Sequence, residues 1–362
     1  MAITAGYDRM KEVEEFDQSK AGVKGLSDSG ASTIPRIFLH PPESLSGLRR
    51  TAAAPSPQIP VIDLSGAVLP DLRPEIVRQI RHAASTWGFF QITNHGIPIA
   101  TLNATVSAVR AFHELPAEAK SRFYSREETR GVMYASNNDL HRSEAASWHD
   151  SIQVWTAPEA APAMDIPEIC REEVLAWDAV VKGAADRVME LLAQGLGLAA
   201  GKFEELTFAG ARVVVGHIYP FCPQPDLTLG IKAHTDPGII TILLQNEVQG
   251  LQVWHGEEWV DVKPVPGGLI VNIGDFLQIV SNGEYKSVKH RVLANGSKEP
   301  RISIVTFFNL VKWREDGKYG PLPELLTSEK PAVYRDFTIE EFCENFYSKE
   351  LDIKSFVQKT KL

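Results

Sequence analysis

From Gly210 onward the chain reads as a succession of short apolar runs: RVVVGHIY, TLGIKAHT, GIITILLQ, GLQVWH, EWVDVKP, GGLIVNIGD, YKSVKHRVL and PRISIVTFF, with turn residues between them. Closely spaced short strands of this kind predict a sandwich or barrel. The earlier part has a different rhythm. Residues 59–64 (IPVIDL) alternate as a strand. Ile76, Ile80, Ala83 and Ala84 then recur at helical spacing over 72–86. WGFFQITNHG reads as a strand closed by a turn, and a further helix follows over about 97–114. The polar stretch 127–143 suits a long loop or paired edge strands. The longest helix is expected over about 172–198, where Val174, Trp177, Val181, Ala184, Val188, Leu191 and Leu192 repeat at three and four residues. Residues 1–58 predict a short helix, an extended Pro-containing segment (IPRIFLHPPESL) and the loop TAAAPSPQ; FTIEEFCENFYSKEL, 337–351, predicts a closing helix.

These patterns together predict a mainly β fold with flanking helices around a double-stranded β-helix core of the jelly-roll, cupin-like kind. Residues 1–205 would be a mixed region supporting the core and the substrate pocket, 206–325 the β-core, and 326–362 a helical closure.

Charge narrows the partners. Against 37 Lys and Arg stand 46 Asp and Glu, a net charge of −9, so neither nucleic acid nor an anionic membrane would be drawn to the summed field. Three cysteines, Cys170, Cys222 and Cys343, show no CxxC spacing; they suit a reducing compartment and offer no disulfide framework or zinc cluster. The start, MAITAGYDRMKEVEEFDQSK, lacks the apolar core of a signal peptide and carries acids where a transit peptide avoids them. No apolar run approaches a membrane span. A cytoplasmic protein with no obligate protein partner is the expectation.

Within that frame His234 and Asp236 lie two apart at the end of a predicted strand, and side chains two apart leave a strand by one face. A second histidine, His290, follows 290 − 236 = 54 residues later in another predicted strand, room enough to cross a barrel and return. Two imidazoles and a carboxylate that meet in this way form a facial triad for non-heme Fe(II), with open positions for ligands. HxD alone is a weak signal, and in a chain with ten histidines a core His234 and a surface His290 are the plainer reading. Arg301 and Ser303 change that balance. They share a strand face 301 − 290 = 11 residues beyond the distal histidine, and a guanidinium fork beside a hydroxyl matches a carboxylate. A metal at one end and this pair at the other suit a dicarboxylic 2-oxoacid.

Other tempting residues read more plainly. Asn94-His95-Gly96 is a structural turn, Trp87, Phe89 and Phe90 are core, and Cys222 is a buried thiol. Asn272-Ile273-Gly274-Asp275 reads as turn chemistry with no helix pattern after it. Phe308, Phe276 and Met133 suit core packing and a substrate pocket about equally.

The HTD, distal-His and RIS elements in this order, together with GVKGL, IPRIF, IPVIDLSG, WGFFQITNHGI, YPFCPQPDLTLGIKAHTDPGIITILLQ and GLQVWHGEEWVDVKPVPGGLIVNIGD, resemble the plant Fe(II)- and 2-oxoglutarate-dependent dioxygenases over nearly the whole chain. The strongest resemblance is to the branch called 1-aminocyclopropane-1-carboxylate oxidase homologues. It implies that His234, Asp236 and His290 hold the catalytic iron, that Arg301 and Ser303 bind the far carboxylate of 2-oxoglutarate, and that Tyr219 adds a phenolic donor. It implies O2 as the other co-substrate, ascorbate as a reductant the iron could use, and hydroxylation of a small plant specialised metabolite with release of succinate and CO2. Many relatives carry Asn-Tyr-Tyr-Pro where this chain has His217-Ile218-Tyr219-Pro220; His217 thus takes the place of an amide near the co-substrate and is not counted as an iron ligand. The pocket would lie between the N-terminal segment, the 127–143 stretch and the C-terminal helix.

Three other readings stay open at this point. One is the ascorbate-dependent reaction of the true 1-aminocyclopropane-1-carboxylate oxidases, and another a zinc hydrolase, in which Arg301 and Ser303 would have no task. The third is a non-catalytic small-molecule-binding relative. Stoichiometric succinate release separates the oxygenase from all three.

Overall fold

The computed structural model describes residues 7–48, 57–127, 130–310, 317–347 and 356–362. Its principal strands are β1 (Val61–Asp63), β2 (Phe89–Thr93), β3 (Val132–Ser136), β4 (Asp150–Ala157), β5 (Ala211–Tyr219), β6 (Leu229–His234), β7 (Ile240–Gln245), β8 (Leu251–His255), β9 (Glu258–Asp261), β10 (Leu269–Ile273), β11 (His290–Leu293) and β12 (Arg301–Asn309). They form an eight-stranded sheet in the order β1-β2-β10-β7-β12-β5-β4-β3 and a four-stranded sheet in the order β6-β11-β8-β9. The β1–β2 pair is parallel and the other pairings are antiparallel. This is the mainly β, jelly-roll frame that the strand spacing predicts. The 127–143 stretch supplies an edge strand, β3, paired with β4.

Alternation gives the large sheet two unlike faces. One carries Val214 and Ile218 of β5, Ile240 and Ile242 of β7, and Ile302, Ile304 and Phe308 of β12 into the main apolar core. The helices are α1 (Arg9–Ser19), α2 (Gly22–Asp28), α3 (Arg73–Thr86), α4 (Ile99–Glu114), α5 (Ala117–Ser121) and α6 (Arg171–Gly195), followed by shorter ones. Helix α6 lays Val174, Trp177, Val181, Val188 and Leu192 into that core, and each such side chain contributes roughly 1.5–3 kcal/mol on burial. The buried Trp177 indole is not left unpaired: Nε1–H donates to Thr306 Oγ1 at 2.9 Å. The other face looks toward the small sheet, where Phe89, Tyr219 and Ile270 meet Leu251, Val253 and Val292 in a separate apolar cluster.

The N-terminal segment is tied to this frame by a carboxylate. Asp150, the fully buried first residue of β4, accepts hydrogen bonds from the backbone N–H groups of Val23 (2.7 Å) and Lys24 (2.8 Å), from Tyr134 Oη–H (3.2 Å) and from Ser136 Oγ–H. It thus satisfies the open amides at the start of α2 from a distant part of the chain. Gly22 makes the approach possible: its φ is +70°, and a Cβ there would strike the Asp150 carboxylate. Asp150→Ala is expected to cost on the order of 3 kcal/mol, because four hydrogen bonds to one buried carboxylate are lost and the buried Val23 N–H is left without its carboxylate acceptor. A lowered melting temperature with faster tryptic cutting at Lys20 or Lys24 would register this; wild-type resistance at both sites would refute the tie.

Two expectations need correction. The closing helix is shorter than 337–351: Phe337–Thr338 is a strand paired with Lys318–Tyr319, the helix runs Ile339–Tyr347, and 348–351 lie outside the described residues. The run Asn272 to Asp275 is not turn alone either. Asn272 is the fourth residue of β10, and a helix, Asp275–Val280, starts directly after Gly274. Gly274 is needed there because a Cβ would collide with the Gly238 backbone. Phe308 and Phe276 belong to the main core. His95 is a buried turn residue whose Nε2 lies 2.9 Å from the Gly267 carbonyl. Cys222 is a buried thiol pushed up to about 11 by burial.

Candidate active site

His234 ends β6 and His290 begins β11, and the two residues are direct partners across the sheet. Asp236 follows just beyond β6. The ligand-type atoms of the three side chains lie within 4.8 Å of one another; Asp236 Oδ1 is 3.6 Å from His234 Nε2 and 3.7 Å from His290 Nε2.

The atoms turned away from this point are occupied. His234 Nδ1 meets the Lys232 carbonyl at 2.9 Å, and His290 Nδ1 the Val288 carbonyl at 3.4 Å. A protonated Nδ1 donating to a carbonyl leaves the Nε2 lone pair free for a metal. Asp236 Oδ2 accepts from Thr241 Oγ1–H (2.6 Å) and from Asn272 Nδ2–H (2.8 Å), which leaves Oδ1 directed at the two rings. Burial and the neighbouring His234 ring pull the His290 imidazole down to about 4, so it stays neutral. Burial opposes the Asp236 carboxylate, but the two rings and the two hydrogen bonds outweigh it and hold its pKa below the usual range. Two neutral imidazoles and an ionised carboxylate are what a divalent cation requires.

The loop carrying Asp236 is pinned from behind. The Asp275 backbone N–H donates to the Asp236 carbonyl at 2.7 Å, and Thr235 Oγ1–H donates to Asp275 Oδ2 at 3.1 Å. Burial pushes the Asp275 carboxyl up to about 7.

Arg301 and Ser303 lie on the inner face of β12, opposite Tyr219 and His217 of β5. Arg301 is 1% exposed. Its Nη2–H donates to Gln245 Oε1 at 2.7 Å, its Nη1–H donates to Ser303 Oγ at 3.3 Å, and its guanidinium sits 4.8 Å from the centre of the Tyr219 ring. Among the described residues Arg301 Nε and Gln245 Nε2 have no hydrogen-bond partner. Among the described residues no carboxylate forms an ion pair with this arginine, although burial bears against its charge. A guanidinium so placed has a charge unanswered by the protein, and an anion would answer it. Burial raises the Tyr219 phenol, which therefore remains a neutral donor.

His217 lies opposite Ser303 across the β5–β12 pair. Its Nδ1 meets Ser151 Oγ at 2.7 Å, and its ring lies 5.4 Å from that of His149 and 6.0 Å from that of Tyr219. Burial first, then the nearby His149 and Arg301, press its pKa well below the usual value. Ser151, His149, Gln245, Thr241 and Asn272 escape a reading of the sequence alone. For Thr241 and Gln245 a signal was available, since they bracket a predicted strand at even spacing and so share its inner face. For Asn272 and His149 no local pattern marks the role.

Known proteins align with this arrangement. Residues 210–310 match the model described as the 2OG-Fe(II) oxygenase superfamily, and residues 59–172 match the non-haem dioxygenase in morphine synthesis N-terminal model. Over 345 residues the chain is 45% identical to 1-aminocyclopropane-1-carboxylate oxidase homolog 4 of Arabidopsis thaliana, covering 95% of this chain and 96% of that one. A homologue of the same description from Solanum lycopersicum is 40% identical, with 99% of each chain covered. Among solved structures, JOX2 in complex with 2OG, Fe and JA superposes with a TM-score of 0.80 at 31% identity, over 94% of this chain and 97% of that one. The rice dioxygenase for auxin oxidation gives 0.67 at 28% identity, over 80% and 95%.

Proposed function

Since the chain belongs to the 2OG-Fe(II) oxygenase superfamily, and is thus an oxidoreductase working with Fe(II) and 2-oxoglutarate, we propose that it hydroxylates a small plant specialised metabolite. In this reading His234, Asp236 and His290 hold the iron, and Arg301, Ser303 and Tyr219 bind the far carboxylate of 2-oxoglutarate. The observation that carries the residue assignment is the buried Arg301 guanidinium, whose Nε has no partner and which pairs with no carboxylate among the described residues. It faces the same interior as the triad, and a dicarboxylate chelating the metal at one end would neutralise it at the other.

The bound iron and 2-oxoglutarate supply the activation of O2, with succinate and CO2 released as the metabolite is oxidised. The protein's part is placement. Thr241 and Asn272 fix which Asp236 oxygen faces the metal, and the Lys232 and Val288 carbonyls fix the two imidazole tautomers. Ser151 Oγ fixes the His217 ring through its Nδ1. The apolar cluster between the sheets keeps water from the Arg301 end.

With its true substrate, one succinate is expected for each product formed, and the product of a hydroxylation should gain one oxygen atom. Mass spectrometry of both products in one reaction checks this. The names of the curated relatives keep the ascorbate-dependent reaction in view; turnover undiminished when 2-oxoglutarate is left out would select it instead.

A further inference from the structure

The inner face of the large sheet continues past the Arg301 end as two more rows of paired residues. One runs Leu243, Val305, Val215, Gln153, Met133, and the next runs Thr241, Phe307, Val213, Trp155. Thr241 carries the second row up to the triad, because its hydroxyl holds Asp236. Met133, Val213, Val215 and Val305 are at most 7% exposed, yet they join none of the three packed apolar clusters of the described residues. Gln153, Trp155 and Phe307 on the same face are partly exposed. Apolar side chains on one sheet face, outside those clusters and continuous with the residue that holds Asp236, offer an apolar ligand a wall beside the triad.

No charged side chain falls in either row. The ammonium of Lys232, two residues before His234, is taken up by Asp139 at 3.1 Å and by Ser143 Oγ at 2.9 Å. Two polar groups on this wall have no hydrogen-bond partner among the described residues, the Gln153 amide and the Trp155 indole N–H, and of the two only the amide can also accept. An amide both donates and accepts, so it orients a neutral polar group and cannot compensate a full charge.

We infer that the metabolite oxidised here is uncharged, with an apolar ring system seated against Met133, Trp155, Val215 and Phe307 and one polar substituent hydrogen-bonded to Gln153. This rests on the proposed oxygenase site, since the wall is defined by its approach to Asp236. A carboxylate or ammonium on the same ring would lose water against Met133, Val213, Val215 and Val305 and meet no opposite charge in either row, a penalty that weakens binding on the order of tenfold or more.

Three probes with one ring system test the inference: methyl naphthalene-2-carboxylate, naphthalene-2-carboxylate and 2-naphthylmethylammonium. Each is titrated calorimetrically into the protein loaded with iron and 2-oxoglutarate under nitrogen. The ester is expected to bind at least about tenfold more tightly than either ion. Gln153→Leu should weaken the ester several-fold, and Gln153→Lys should reverse the preference in favour of the carboxylate. Titration of 2-oxoglutarate into each variant shows that the fold and the co-substrate end are intact. Equal binding of the three probes, tighter binding of an ion, binding of none, or an unchanged preference in Gln153→Lys would overturn the inference. Should 2-oxoglutarate itself fail to bind the wild type, the oxygenase assignment of the site falls instead.

Discussion

Replacing Arg301 by Ala is expected to lower 2-oxoglutarate affinity by roughly 30-fold to several thousand-fold. The far carboxylate would then sit in a pocket that keeps its walls and loses the Arg301 guanidinium, and removing one member of a buried charge pair costs about 2–5 kcal/mol. At about 1.4 kcal/mol per tenfold this gives the stated range. Arg301→Lys should fall between, since an ammonium keeps the charge but cannot serve Gln245, Ser303 and a carboxylate with one planar fork. Ser303→Ala removes a single neutral hydroxyl and should cost less. Iron affinity measured without co-substrate should barely move in any of the three. Calorimetric titration of 2-oxoglutarate into the iron-loaded proteins decides the matter, and wild-type affinity in Arg301→Ala would sink the assignment even with the triad intact.

Loss of Asp236 should be the most severe change. Asp236 is the one carboxylate among the three convergent side chains, so Asp236→Ala leaves only two imidazole ligands to hold a divalent cation. Turnover is expected to vanish, with no residual iron retained after desalting. The partners behind it should grade the effect. Asn272→Ala and Thr241→Val each free Asp236 Oδ2 from one hydrogen bond, and losses of this kind typically cost about 10- to 100-fold in metal affinity. Chelator competition for Fe(II) measures the series, with circular dichroism as the check on folding. Full activity in Asp236→Ala, or wild-type metal affinity in both partner variants, would contradict this picture of the centre.

The strands were legible because their alternation is strong and both faces of the large sheet are specified. In β12 the spacing puts Arg301 and Ser303 on one face as site, and the observed pairing bears this out, with Ile302 and Ile304 on the opposite face in the core. The convergence of His234 with His290 could be anticipated from spacing and strand parity. What could not be read is whatever depends on register between strands distant in sequence. Ser151 meets His217 only because β4 pairs with β5 at that offset, and Asn272 reaches Asp236 only because β10 lies beside β7. Helix Asp275–Val280 was missed because six residues are too few to show a period. The N-terminal tie was hidden for the same reason as the polar contacts: α2 and Asp150 are more than a hundred residues apart in sequence.

The rows of the inner face have a consequence for how such a protein changes over generations. Arg301 and Ser303 occupy one end of β12, and Val305 and Phe307 the other, with the same polarity repeated in β5 from Tyr219 and His217 to Val215 and Val213. A single substitution at the far end alters what the wall accepts without touching the groups near the guanidinium. Insertion or deletion of one residue anywhere along either strand would instead exchange the two faces downstream and destroy both functions together. Diversification is therefore channelled into point changes at a few alternating positions, and gaps are confined to the connections. A lineage built on this sheet can drift across substrates while its oxidising centre stays fixed.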